Sequence, residues 1–172
     1  MSGAVMQGFL SYSLHRVDKK GRVSVPSHYR AVLLSRQMNS FISFPSLLGP
    51  WLQCVTPAQM ESFIGRQDEL AAFAGSVDAY PALVFSQSAE MIPDSDGRIV
   101  LTPELLAHAQ IDEDIAFVGQ GHYFSIWSPV LFEAEKIKLR ERALAGRADW
   151  VTPPVSLRHT DATNPPLDGI HE

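Results

Sequence analysis

The side chains best suited to polar recognition fall in one short stretch, Asp18-Lys19-Lys20-Gly21-Arg22-Val23-Ser24-Val25-Pro26-Ser27-His28-Tyr29-Arg30. A lysine ammonium is a compact point charge that neutralises an anion. An arginine guanidinium is a rigid fork that engages two acceptors at once. Arg16, Lys19, Lys20, Arg22 and Arg30 place five of the chain's fourteen Lys and Arg between positions 16 and 30, against the single carboxylate of Asp18. The chemistry on offer is anion binding. The net charge of the whole chain, −5, opposes a polyanionic partner, which usually meets a basic face. The distribution of charge, rather than its sum, permits one. The bland alternative for such a cluster is a solvated hairpin.

The elements that position these cations follow from local rules. Gly21 offers the positive φ of a tight hairpin turn. Arg22-Val23-Ser24-Val25 alternates polar and apolar, as a half-buried strand does. Pro26 suits the first turn of a helix, where its missing N–H is not needed. The cations are thus expected at a hairpin tip. The chain then repeats the pattern in Asp94-Ser95-Asp96-Gly97-Arg98-Ile99-Val100-Leu101-Thr102-Pro103, with one extra residue before the proline. Ile42-Ser43-Phe44, Trp51-Leu52-Gln53 and Thr56-Pro57 are answered by Ala116-Phe117-Val118, Ser125-Ile126-Trp127 and Ser128-Pro129. Such duplication changes the unit being folded.

Paired Asp-x-x-Gly-Arg blocks, with Val118-Gly119-Gln120 and Ser125-Ile126-Trp127, resemble the MraZ family over roughly residues 8 to 145. The resemblance implies an α+β fold of two SpoVT–AbrB-type halves, at 8–76 and 77–147, interleaved as a swapped-hairpin barrel with short flanking helices. It implies a cyclic homo-oligomer. It also implies a sequence-specific DNA-binding regulator, a repressor, acting in the cytoplasm at the nucleoid. Its targets would be direct repeats in the promoter of the division and cell-wall cluster that includes its own gene. The family's Asp-x-x-x-Arg signature maps to Asp18 with Arg22 and to Asp94 with Arg98. On this reading Arg22 and Arg98 present forks to guanine O6 and N7. Arg16, Lys19 and Lys20 neutralise phosphates and set register. Asp18, Gly21, Asp94 and Gly97 orient the turns, since a carboxylate is repelled by phosphate.

Composition bounds the remainder. With 172 residues, 45% hydrophobic and 19% charged, the chain suits one domain or two small fused ones. No apolar run approaches the ~18 residues of a spanning helix, and no signal peptide is expected. Cys54 is the single cysteine, which excludes an intrachain disulfide and suggests a buried thiol in a reducing cytoplasm.

Other chemistries fit poorly. Asp94-Ser95-Asp96 lacks the further ligands and sixth-position glycine of a calcium loop. Asp112-Glu113-Asp114 reads as a solvated turn. The six histidines form no zinc spacing, and no nucleophile elbow, Walker loop or dinucleotide fingerprint is present. No cofactor, metal or enzymatic activity is expected. His28 reads as a surface or capping residue, and Phe117, Tyr123, Phe124 and Trp127 as core or subunit interface. Two rival functions remain: an antitoxin-like or scaffold module docking a protein, and a small enzyme.

In chain order, strands are expected over 11–17, 22–25, 41–44, 51–55, 88–92, 98–101, 115–118 and 123–127. Helices are expected after Pro26, after Thr56 in a capping box with Gln59, through Leu70 to Phe73 before a break at Pro81, after Thr102, and after Ser128, the last being the longest. A disordered tail is expected over 148–172, where Pro153-Pro154 and Pro165-Pro166 stand among scattered charges.

Overall fold

The computed structural model describes residues 8–74 and 78–146, with side chains left aside at 68–74. The leading arm and the expected tail beyond Gly146 lie outside the described residues. The elements, in order, are β1 (Tyr12–Arg16), β2 (Arg22–Ser24), α1 (Ser27–Ser35), β3 (Phe41–Pro45), β4 (Trp51–Val55), α2 (Pro57–Ala74), α3 (Ala79–Gln87), β5 (Ala89–Met91), β6 (Arg98–Val100), α4 (Pro103–His108), β7 (Asp114–Gly119), β8 (Phe124–Trp127) and α5 (Pro129–Ala145). The described residues up to Lys136 belong to one compact unit, and those from Ile137, the end of α5 and Gly146, to a second.

The fold is mixed α+β with antiparallel ladders throughout. A six-stranded sheet runs β1-β7-β8-β4-β3-β5, and β2 and β6 form a separate two-stranded ribbon. The six-stranded sheet is open, with β1 and β5 at its edges, so the closed barrel expected from the sequence is not seen. The expected hairpins also differ. The turn at Asp18–Gly21 is tight, yet the strands on either side of it do not pair with each other. β1 pairs with β7, placing Tyr12 opposite Val118 and Arg16 opposite Asp114. β2 pairs with β6, placing Arg22 opposite Val100 and Ser24 opposite Arg98. β3 pairs with β5, and β4 with β8, Trp51 facing Trp127. Each strand before the midpoint of the repeat thus bonds to one after it. The β1–β7 ladder is the repeat's counterpart of β5–β3, while β2–β6 and β4–β8 each join equivalent strands.

Alternation explains which faces are buried. Val23, Val25, Ile99 and Leu101 are almost wholly covered, while Ser24 and Val100 are exposed and Arg22 and Arg98 half-buried. They join a core with Phe9, Tyr29, Leu33, Phe41, Leu52, Phe117, Phe124 and Ile126. Each large apolar side chain buried contributes about 1.5–3 kcal/mol. Tyr29 is fully buried in α1, its hydroxyl donating to the Ser11 carbonyl at 3.0 Å. Its ring lies 5.4 Å from Phe9 and 5.0 Å from Phe124. Tyr29, Val32 and Leu33 are the buried face of α1, as their i, i+3, i+4 spacing predicts. Phe117, Phe124 and Trp127 are likewise buried. Tyr123 is partly exposed.

α2, α4 and α5 begin as the sequence indicates, and α1 starts one residue later than expected, with Pro26 as its N-cap. The Thr56 N–H donates to Gln59 Oε1 at 2.9 Å and the Gln59 N–H to Thr56 Oγ1 at 3.3 Å, a reciprocal capping box. Thr102 Oγ1 accepts the Leu105 N–H at 3.4 Å. Two expectations need correction. Pro81 is not a break: it sits in the first turn of α3, capped by Asp78, where its N–H would have no intrahelical acceptor. And α2, with 18 residues, is longer than α5, with 17.

Candidate nucleic-acid interface

The two Asp-x-x-Gly-Arg turns have the same backbone. In the first, the Asp18 N–H donates to the Arg22 carbonyl at 2.9 Å and the Gly21 N–H to the Asp18 carbonyl at 2.9 Å. In the second, the Asp94 N–H donates to the Arg98 carbonyl and the Gly97 N–H to the Asp94 carbonyl, both at 2.8 Å. The glycines have φ of 77° and 74°, left-handed values that favour glycine. Both glycine carbonyls are then bonded across the repeat: Gly21 accepts from the Leu101 N–H at 2.8 Å and Gly97 from the Val25 N–H at 2.9 Å. The β2–β6 ribbon therefore locks the two turns to each other.

Each aspartate binds inward. Asp18 Oδ1 accepts the N–H groups of Lys20 at 2.8 Å and Arg22 at 3.0 Å, while Oδ2 accepts Arg22 Nε at 2.7 Å. Asp94 Oδ1 accepts the N–H groups of Asp96 at 2.9 Å and Arg98 at 2.8 Å, while Oδ2 accepts Arg98 Nε at 3.2 Å. These bonds stabilise the charged carboxylates. The Arg22 N–H, then its side chain, hold the Asp18 carboxyl at about 2 against an ordinary 3.8. The Arg98 N–H does the same for Asp94, lowering it. Each arginine is held by Nε, so its carboxylate partner fixes the plane of the fork.

The turns differ in what surrounds them. Lys19 and Lys20 are exposed, and among the described residues neither forms an ion pair. At the second turn those positions are Ser95 and Asp96, and Asp96 Oδ2 takes Arg98 Nη2 at 2.5 Å. Arg98 is therefore held by two carboxylates and Arg22 by one.

Arg16 does not stand with the lysines as a free cation. The β1–β7 register brings it to Asp114 at 3.4 Å and Glu113 at 3.6 Å. The acidic run, read from the sequence as a solvated turn, is exposed and also faces Arg16. Nothing local could reveal this, because the partners are 98 residues apart. His28 is exposed, with Nε2 2.9 Å from Ser11 Oγ and its ring edge-on to Tyr29. His15 Nε2 lies 2.8 Å from Ser13 Oγ, and burial, then the nearby His28, lower its pKa. Cys54 is wholly buried, and desolvation pushes its thiol up to about 12, so it is no nucleophile. No helix among the described residues is long and apolar enough to cross a membrane.

The MraZ family model, described as "MraZ protein, putative antitoxin-like", matches residues 84–147. Relatives cover far more of the chain. A protein of Pelagibacter ubique named transcriptional regulator MraZ is 38% identical over 140 residues, 81% of this chain and 90% of its own length. The protein of that name in Rickettsia akari is 36% identical over 142 residues, 80% and 95%. That of Rickettsia typhi is 37% identical over 128 residues, 74% and 86%. Relatives at 36–38% identity that cover 74–81% of the chain show the family, and so the chain belongs to the MraZ family.

Proposed function

We propose that this protein is a transcriptional regulator that binds double-stranded DNA in a sequence-specific way, as a repressor of the division and cell-wall cluster containing its own gene. One observation carries the reading. Two arginine forks stand on turns of matching geometry, joined by a two-residue-periodic ribbon, and one turn carries two exposed lysines. Arg22 and Arg98 read guanine edges. Lys19 and Lys20 neutralise phosphates, and Arg16 does so in exchange for its carboxylates. Asp18 and Asp94, with Gly21 and Gly97, hold the turns. No metal, cofactor or catalytic step is needed for this.

The same proposal takes the chain as two SpoVT–AbrB-type halves with exchanged hairpins, divided near residue 76, an arrangement that the four ladders between the halves support. It also takes the working form as a cyclic homo-oligomer at the nucleoid. A ring offers several turns to direct repeats, and tethering raises the effective concentration of each later contact. Exposed Leu47, Leu48, Tyr80 and Tyr123 border a groove with Phe44 and Val84, apolar surface suited to a neighbouring copy. Light scattering that returns only ~19 kDa at micromolar concentration removes the ring.

The deciding experiment is a gel shift on the DNA upstream of its own gene at low salt, with a scrambled fragment as competitor. A shift resisting the competitor is expected. No shift at low salt overturns the reading and favours a protein-docking module of the antitoxin-like kind.

A further inference from the structure

We propose that Arg30, which belongs to the first half of the repeat, is the positioning residue of the second turn, so that Arg98 is presented to DNA only while α1 is docked against Gly97. This rests on the DNA-binding reading above.

Three observations carry it. The Arg30 guanidinium lies flat against the second turn: a Cβ built on Gly97 falls 2.4 Å from Arg30 Cζ, 2.6 Å from Nη1 and 2.7 Å from Nε. Arg30 Nε donates to the Val25 carbonyl at 3.3 Å, and the N–H of that same Val25 donates to the Gly97 carbonyl at 2.9 Å. Arg30 therefore braces a backbone link between the second turn and the residue that follows β2, beside the Ser24–Arg98 pairing of the ladder. Third, the first turn has no such brace. A Cβ on Gly21 meets the Leu101 carbonyl oxygen at 2.3 Å, and α4, the counterpart of α1, carries no arginine or lysine. The repeat is symmetric in backbone and asymmetric in this support.

The chemistry favours a guanidinium over a simple charge. A planar group that also donates from Nε fills the shallow space over a glycine, and lysine reproduces neither feature. Bracing matters more at the second turn. Its two carboxylates repel, and they hold the fork of Arg98 between them at 3.2 Å and 2.5 Å.

The test is a double-mutant cycle on one operator fragment, read by fluorescence anisotropy, with the melting temperature of each variant measured in parallel. Arg30→Ala is expected to lose as many fold in affinity as Arg98→Ala. It should lose nothing further in the Arg98→Ala background, and its loss should multiply with that of Arg22→Ala. Arg30→Lys should behave as Arg30→Ala does. If Arg30→Ala fails to fold, Arg30→Gln takes its place in the cycle. Losses of Arg30 and Arg98 that simply multiply overturn the proposal, as does full rescue by lysine, which would make Arg30 a phosphate contact. Wild-type protein that fails to bind at all overturns the DNA-binding reading itself, a result distinct from both.

Discussion

The two turns are alike in every backbone bond and unlike in their surroundings. The first has three cations against one carboxylate, a net of +2, and the second one cation against two, a net of −1. The first closes by backbone against backbone, Gly21 beneath the Leu101 carbonyl, while the second closes under a side chain, Arg30 over Gly97. Duplication thus preserved what folds the turn, the aspartate, the glycine and the arginine, and let go of what loads it with charge. On the proposed function, the first turn supplies most of the affinity and the second completes the sheet framework and adds a weaker contact.

The largest test of this contrast is on stability. Gly21→Ala should cost about 2–4 kcal/mol, the left-handed penalty plus a clash with backbone that cannot yield. Gly97→Ala should cost about 1–2 kcal/mol, because the atoms in its way end a flexible side chain. Denaturant melts of the two variants check the order, and equal losses would erase the distinction in packing.

The next test is on binding. Arg22→Ala should cost about 1–3 kcal/mol and relax sequence preference, as a lost guanine contact does. Arg98→Ala should cost clearly less in binding, although the loss of its pairs with Asp94 and Asp96 touches stability. Titrating both on one fragment at one salt concentration decides. A larger loss for Arg98→Ala with the fold intact reverses the assignment.

Charge can also be moved between the turns. Lys20→Ala should flatten the slope of log affinity against log salt by roughly 0.9 for each turn in contact, on all sequences alike. Asp96→Lys gives the second turn a counterpart of Lys20 and releases Arg98 Nη2, so it should steepen that slope. An Asp96→Lys protein with unchanged slope would place the second turn away from phosphate.

The smallest effect is in titration. Followed by NMR, the Asp18 carboxyl should titrate at about 2. Its folded value lies below the ordinary one, so the support it lends the turn is full above pH 3.8 and fades as pH falls towards about 2. Arg22→Ala should raise the midpoint only part of the way, since the Arg22 N–H remains. Recovery of the full ordinary value would mean that the side chain, not the backbone, holds the charge.

Much of this was legible in the sequence because its causes are local. Positive φ at Gly21 and Gly97, the caps at Thr56 and Thr102, the buried stripe of α1 and the alternation of Val23 with Ser24 each depend on a few neighbouring residues. What escaped depends on register between distant strands. Hairpin rules pair β1 with β2 through Gly21, but the observed ladders place Arg16 beside Asp114 and Arg22 opposite Val100. Arg30 was visible as one cation among five. That it serves the other turn follows from the ribbon, and no spacing within the first half encodes it. Pro81 misled for a different reason: proline ends a helix from within but is harmless in its first turn.

The ladder between β1 and β7 has a consequence for how the chain is made. β1 ends at Arg16 and its partner ends at Gly119. A ribosome adding ~5–20 residues per second needs on the order of 5–20 s to bridge that gap. Until β7 is made, β1 has no strand to pair with and the core lacks Ile115 and Phe117. Long-range antiparallel pairing also folds slowly, since loop closure precedes any gain from contact. Newly made chains of this protein therefore pass their first seconds with β1 unpaired, and that ladder forms only after β7 is complete.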